Sequence, residues 1–315
     1  MEYRYLGRSG LQVSVVGLGC NNFGGRIDEA QSTTVVNMAL DLGINLFDTA
    51  DVYGNRGPSE EILGRALRGK RRNAVIATKF AMQMGEGPHW AGGSRRYIYD
   101  AVDASLQRLG TDYIDLYQMH APDPHTPIEE TLRALDDLVR AGKIRYIGNS
   151  NFSAAQATEA AWVAKTEHLT PFVSAQNHYN LLERGIEREL TATCAKYGLG
   201  ILPFFPLASG FLTGKHRPGQ PAMEGTRLAG PMGQRLLNEA NFETLQKLEQ
   251  IAEGAGRSML ELAMSWLAQQ PQVASVIAGA TKPEQVQANV DAVHWQLSPD
   301  ELTAIDEATG KKSSR

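Results

Sequence analysis

Eight short apolar runs recur along this chain, each of strand length, and helix-patterned segments follow most of them. The runs fall at residues 15–19 (VVGLG), 44–47 (INLF), 74–78 (AVIAT), 113–119 (YIDLYQM), 144–148 (IRYIG), 172–176 (FVSAQ), 199–204 (LGILPF) and 274–279 (ASVIAG). Of the segments between them, 28–42 carries Ala30, Val35, Met38, Ala39 and Leu42 on one stripe, and 127–140 carries Ile128, Leu132, Leu135, Leu138 and Val139. Glycines close the helical stretches in DLG (41–43), RLG (108–110), RAG (140–142) and KYG (196–198). A parallel neighbour needs a crossover, which a helix supplies, so this alternation predicts a parallel sheet. Eight such units close naturally into a (β/α)8 TIM barrel. Two further short strands, near 3–5 and 12–15, are joined by the turn signal RSG and predict an N-terminal hairpin.

The 315 residues suit one barrel domain over 1–315, with 310–315 a frayed tail, and a hydrophobic content of 42% is enough for a large core. Two stretches depart from short connections. One is 215–233 (KHRPGQPAMEGTRLAGPMG), before two helical patterns that run to about residue 268; the other is 83–93 (QMGEGPHWAGG), after the third barrel strand. Long loops of this kind are often functional. The charge of −4, from 31 basic and 35 acidic residues, gives no electrostatic case for a nucleic-acid or membrane partner. No apolar run reaches membrane-spanning length, and MEYRYLGRSG lacks a signal-peptide core. Two cysteines, Cys20 and Cys194, are too few for a disulfide framework, so a reducing cytoplasm is the expected setting.

In such a barrel the reactive side chains gather where strands end and the next loops begin. The polar residues at those points are Asp48 (with Tyr53 in the loop behind it), Lys79, His120, the run Asn149, Ser150 and Asn151, and Gln176 with Asn177. Asp48, Tyr53, Lys79 and His120 belong to three adjacent strands. A phenol titrates near ~10 and is a poor acid or base at neutral pH. An ammonium beside it favours the phenolate, so Lys79 is expected to lower the Tyr53 pKa. A carboxylate beside the lysine keeps it charged and in place. An imidazole hydrogen-bonds a carbonyl oxygen and orients it. Together the four make a proton donor aimed at a carbonyl. Singly, each has a plainer explanation: a loop or cap carboxylate for Asp48, a solvated lysine, a structural histidine, an aromatic plug over the barrel mouth for Tyr53. Their joint placement on one face favours the chemical one.

These residues sit in a longer ordered series. LGRSGLQVSVVGLGCNNFGG (6–25), FDTADVYGN (47–55), ATKF (77–80), DYIDLYQMHAPD (112–123), IGNSNF (147–152) and AGATKPEQVQANV (278–290) resemble, in order, the landmarks of the aldo-keto reductase superfamily over about residues 2–310. The resemblance implies a (β/α)8 barrel with the hairpin closing its bottom. It implies a tetrad of Tyr53 as proton donor, Lys79 as its tuning cation, Asp48 as the lysine's partner and His120 as substrate orienter. It implies hydride transfer from NADPH, with NADH the lesser choice, to an aldehyde or ketone, with no metal. By the same matching, Ser150, Asn151 and Gln176 would hold the nicotinamide carboxamide, and Phe204 would stack on its ring. Phe205 stands where many members carry Ser. Pro206, Leu207, Gly210, Thr213, Gly214 and Lys215 would pass over the pyrophosphate. Gly279, Ala280, Thr281, Lys282, Gln285 and Asn289 would meet the adenosine end. Gly19, Cys20 and Asn21, with Asp48, would lie beside the cofactor. Lys282, with Lys215 or Arg227, would supply charge for a 2′-phosphate, and the helix starting near Pro283 would offer its N-terminus to a phosphate. Phe23, Met82, Met84, His89 and Trp90 are the candidates for the substrate pocket.

Other classes fit less well. GLGCNN (17–22) lacks the third glycine of a dinucleotide fingerprint and opens no helix. HAPDPH (120–125) has metal-ligand spacing, but no histidine at another strand end completes a site. The superfamily also includes potassium-channel β-subunits, so a cofactor-binding regulatory subunit with little turnover is the alternative function. The sequence does not fix the oligomeric state.

Overall fold

A computed structural model describes residues 1–222 and 225–310; of the expected tail, 311–315 lie outside the described residues. The hairpin forms from β1 (Tyr3–Tyr5) and β2 (Gln12–Ser14). Then come eight parallel strands: β3 (Val16–Gly19), β4 (Leu46–Asp48), β5 (Val75–Phe80), β6 (Ile114–Met119), β7 (Ile144–Ser150), β8 (Phe172–His178), β9 (Gly200–Phe204) and β10 (Val276–Gly279). They lie in the order β10-β3-β4-β5-β6-β7-β8-β9, and a bridge between Ile201 and Val273 brings the two ends together. Helices follow the strands, as the alternation predicts: Glu29–Asp41, capped by a reciprocal Asp28–Gln31 box, and Ile128–Arg140 fall within a residue of their apolar stripes.

Side-chain alternation divides the core in two. Leu46, Val75, Ala77, Leu116, Val173, Leu202 and Ile277 fill the barrel, while Phe47, Ile76, Phe80, Tyr117 and Ile201 face the surrounding helices. The hairpin plugs the bottom with fully buried Leu6 and Val13. Gly7, at φ +56°, passes so close that a Cβ would lie 2.3 Å from the Gly198 carbonyl oxygen. Arg4 ties the plug down through Nη1 to the carbonyls of Ala268 (2.5 Å) and Val273 (3.1 Å).

One irregularity matters for the site. Ile147 pairs with Phe172, but Gly148 pairs with Ser174, so Val173 is an extra residue on β8. A bulge of this kind changes which face later residues occupy. Val173 faces the barrel interior, and three residues on, instead of two or four, Gln176 faces it as well.

Candidate functional site

The same alternation carries Asp48 and Lys79 into the upper barrel. Leu46 and Asp48 of β4 point inward, as do Val75, Ala77 and Lys79 of β5. Lys79 has no exposed surface. Its ammonium lies 2.6 Å from Asp48 Oδ1, donates to the Thr49 carbonyl at 2.8 Å, and sits 3.5 Å from the Tyr53 phenol oxygen. The second carboxylate oxygen of Asp48 accepts from Gln176 Nε2 (2.8 Å) and Gln118 Nε2 (3.2 Å). A buried ion pair holds only when its remaining hydrogen-bonding capacity is filled, and here the two amides fill it.

Tyr53 is delivered by a tight turn, Tyr53–Arg56, in which Gly54 and Asn55 have φ of 70°. Gly54 packs against the loop after β3, where a Cβ would come within 2.7 Å of the Phe23 carbonyl oxygen. The Tyr53 ring meets the His120 ring edge-on, centroids 5.7 Å apart. His120 follows β6, its N–H donating to the Phe80 carbonyl.

The electrostatics correct one expectation. Burial raises the Tyr53 pKa; Lys79 pulls it down, Asp48 pushes it back up, and the net shift is upward. The lysine was expected to lower it, but its charge is shared with a carboxylate that lies nearer than the phenol. For Lys79, burial opposes the ammonium, yet Asp48 and then Tyr53 outweigh it and raise the pKa. Burial and then Lys79 push His120 down to about 3, so its ring is neutral at any working pH. Its Nδ1 is buried without a hydrogen-bond partner among the described residues.

Tyr53 and His120 stand at one end of a cleft of about 810 Å³. Of the residues assigned to a cofactor, Gly19, Asn21, Asp48, Ser150, Asn151, Gln176, Phe204, Phe205, Pro206, Leu207, Gly210, Thr213, Lys215, Gly279, Thr281, Gln285 and Asn289 line it. Cys20 and Ala280 do not, being wholly buried, and neither do Gly214 or the exposed Lys282. Lys79 lies behind Tyr53, off the cleft. Phe204 stacks on His178 at 5.3 Å and 9°, while Phe205, at φ +53°, stands edge-on to both rings.

In the long loop after β9, Lys215, His216 and residues 225–227 line the cleft as a strap, with 223 and 224 outside the described residues. Arg227 Nη2 donates to the side-chain oxygens of Asn21 (2.6 Å) and Asn22 (2.7 Å), Arg26 donates to the Gly225 carbonyl, and the Arg227 guanidinium lies over the Phe205 ring at 5.5 Å. Thus Phe205, where a hydroxyl was expected, meets a cation with its ring. Burial, then Arg26, lowers the Arg227 pKa. Neither arginine has a carboxylate partner among the described residues.

Sequence reasoning missed Gln118, Asn22 and Arg26. Gln118 lies one turn of the alternation inside Leu116 and was legible from it; the strap contacts had no local signal. The substrate-pocket candidates fare less well. Phe23 is fully buried: the β3 loop folds back through a Phe23–Ile27 bridge and turns the ring into the core. Met82, Met84, His89 and Trp90 occupy the 81–93 loop and do not line the cleft. Asp123 of the HAPDPH motif accepts from the N–H groups of Gly93 (2.8 Å) and His125 (2.9 Å) and from Thr126 Oγ1 (2.7 Å), so it is a loop clasp. Among the described residues no three metal-ligating side chains are grouped, and no helix is long and apolar enough to cross a membrane.

A (β/α)8 barrel with a lysine–carboxylate pair buried beneath a phenol, at the end of a long cleft, defines the class of protein. Residues 15–309 match the aldo/keto reductase family, and the chain belongs to it. It is 38% identical over 320 residues to L-glyceraldehyde 3-phosphate reductase of Escherichia coli O157:H7, covering 98% of this chain and 92% of the relative. It is also 38% identical over 325 residues to a probable voltage-gated potassium channel subunit beta of Oryza sativa subsp. japonica, covering 100% and 98%. With aldo-keto reductase dtxS3 of Metarhizium robertsii it shares 36% identity over 342 residues, covering 98% and 90%. Family membership and the reductase relatives support an oxidoreductase.

Proposed function

We propose that this protein is a single-domain, cytoplasmic reductase that uses NADPH to convert a small aldehyde or ketone to its alcohol. The observation that carries the proposal is the buried Lys79 ammonium 3.5 Å from the Tyr53 phenol and 2.6 Å from Asp48. An ammonium is held in a dry barrel at a cost, and its placement beside a phenol at the cleft end gives that cost a chemical purpose.

The lining fits a dinucleotide. Ser150, Asn151 and Gln176 present amide and hydroxyl groups together, and Gln176 spends its nitrogen on Asp48, leaving its carbonyl oxygen uncommitted. The helix Pro283–Asp291 has no side-chain cap on its N-terminus, a place suited to phosphate. Of the three cations expected to supply charge for a 2′-phosphate, Lys215 and Arg227 line the cleft and Lys282 does not, so the first two take that role. When bound there, the cofactor would supply the hydride.

This chain's own groups do the rest. Tyr53 donates its proton to the carbonyl oxygen, and Lys79, fixed by Asp48, stabilises the phenolate that remains. A raised phenol pKa keeps the proton on Tyr53 until the carbonyl is in place. Neutral His120 orients the carbonyl without competing as an acid.

Replacing Tyr53 with Phe should lower kcat by about 10²–10⁴-fold, while NADPH still quenches tryptophan fluorescence; turnover near wild type would remove Tyr53 from this role. A panel of aldehydes, ketones and quinones with NADPH and NADH assigns the substrate class. Glyceraldehyde 3-phosphate belongs in it, because a relative is named for that reduction. The rice relative's name motivates a second reading, a cofactor-binding channel subunit with little turnover. Tight NADPH binding without reduction of any carbonyl would favour it.

A further inference from the structure

One buried acid of the catalytic loop has no part in this chemistry. Asp51 lies three residues after Asp48 and two before Tyr53, almost wholly buried, its backbone N–H tied to the Lys79 carbonyl at 3.2 Å. It sits between the barrel wall and the helices Pro58–Ala66 and Arg95–Leu109. The groups facing it are Glu60 from the first helix, Arg108 and Tyr97 from the second, and Tyr117 from β6. Arg108 is committed to Glu60 Oε2 at 2.7 Å, and Thr78 Oγ1 donates to Glu60 Oε1 at 2.5 Å. Two buried carboxyl groups therefore share one guanidinium.

Asp51 Oδ1 is buried without a hydrogen-bond partner among the described residues, while Oδ2 lies 3.4 Å from the Tyr97 phenol oxygen. The same phenol lies 3.3 Å from the Met82 carbonyl, at the start of the 81–93 loop. A phenol has one hydrogen to give and can also accept. It can donate to Asp51 or to Met82, not to both.

We propose that Asp51 and Tyr97 are positioning residues that control the hold on the 81–93 loop through the direction of this two-bond chain. With a proton on Asp51, the carboxyl O–H donates to Tyr97 and Tyr97 donates to the Met82 carbonyl. With Asp51 ionised, its proton gone to solvent, Tyr97 turns its hydrogen to the carboxylate and Met82 loses its donor. The surroundings set the change in the neutral range: burial and then Glu60 push Asp51 up to about 7, against Arg108, the Val52 N–H and Tyr97. Burial, then Asp51, keeps Tyr97 itself protonated. The loop's other ties include Met84 N–H to the Trp90 carbonyl (2.8 Å), Gly92 N–H to the Ala81 carbonyl (2.9 Å), Gln83 Nε2 to the Gly85 carbonyl, and at Gly93 the Asp123 clasp and Thr131 Oγ1, which donates to the Gly93 carbonyl at 2.7 Å. It follows β5, the strand of Lys79, and ends on the clasp behind His120. If the reductase reading holds, the loop, whose residues do not line the cleft, reaches the carbonyl end through the Asp123 clasp that follows His120, so loosening it weakens the hold on the carbonyl substrate and leaves the chemistry at Tyr53 alone.

Hydrogen exchange of the whole protein at pH 6 and pH 8.5, corrected for intrinsic rates, tests the chain without relying on turnover. In the wild type, peptides over 81–93 should exchange several-fold faster at pH 8.5. Asp51→Asn, whose amide donates as the protonated acid does, should abolish the difference. Tyr97→Phe, which keeps the ring, should exchange fast at both. With NADPH and 4-nitrobenzaldehyde, KM should rise several-fold over the same interval in the wild type and stay flat in Asp51→Asn, kcat unchanged in both. The same pH response in the wild type and Asp51→Asn, or a Tyr97→Phe loop as protected as wild type at pH 6, overturns the proposal. Exchange that follows the scheme in a protein reducing no carbonyl defeats the reductase reading and leaves the positioning role standing.

Discussion

Asp48 and Asp51 belong to one short loop and are both buried, yet they live on opposite sides of the barrel wall. Asp48 looks inward, where a lysine at 2.6 Å and two amides absorb its charge. Asp51 looks outward, where Arg108 is already bonded to Glu60 and the Tyr97 phenol lies 3.4 Å from its carboxyl. The first has a cation of its own; the second has none to spare, and burial pushes its pKa up. Burial alone therefore does not decide the state of an acid; the count of cations and donors around it does.

The strongest way to break this contrast is on the inner side. Lys79→Met leaves the Asp48 carboxylate buried without its cation. Stability should fall by roughly 3–5 kcal/mol, read as a lower urea midpoint at unchanged m-value, and carbonyl turnover should fall as far as in Tyr53→Phe. An unchanged midpoint would mean that Asp48 is carried by Gln118 and Gln176 alone.

On the outer side the sign reverses. An aspartate carboxyl titrates near ~4 in an unfolded chain, whereas Asp51 in the fold is pushed up to about 7. Between those values the folded state holds the extra proton, so this group's contribution to stability declines as pH rises through that window. Asp51→Asn should raise Tm by several degrees at pH 8 and leave it close to wild type at pH 4. A lower Tm at both pH values would show that the carboxylate has a partner that the contrast denies it. The smallest expected effect is none at all: with its imidazole pushed down to about 3, His120 should give no titration between pH 5 and 9 by NMR. A histidine pKa near 6.5 at this position would make His120, and not Asp51, the source of any neutral pH dependence.

Much of this arrangement was legible in the sequence because strands alternate. Once INLF and AVIAT are strands, the residues just past them, Asp48 and Lys79, must stand at the barrel mouth, and the order of the strands brings His120 beside them. The partners of Asp48 were legible only by half. Gln118 follows from the alternation of β6, but Gln176 reaches Asp48 through the bulge at Val173, which no local pattern marks. Burial depends on the whole fold, so the direction of the Tyr53 pKa and the turning-in of Phe23 were not available from residue type. Arg227 reaches Asn21 and Asn22 across some two hundred positions of chain, and Lys282, just before the helix Pro283–Asp291, does not line the cleft.

The extra residue on β8 has a consequence for how this barrel tolerates change. It is a parity switch: downstream of Val173, even-numbered positions face the axis where odd ones did before. Loss of Val173 itself would only remove the bulge and leave Gln176 paired with Ser150, but deleting one residue past it, such as Ala175, would swing Gln176 out of the barrel and bring Asn177 toward Asp48 in its place. A length change at the middle of one strand would thus rewrite the surroundings of the ion pair as thoroughly as a substitution beside it. In this strand, insertions and deletions are changes of chemistry.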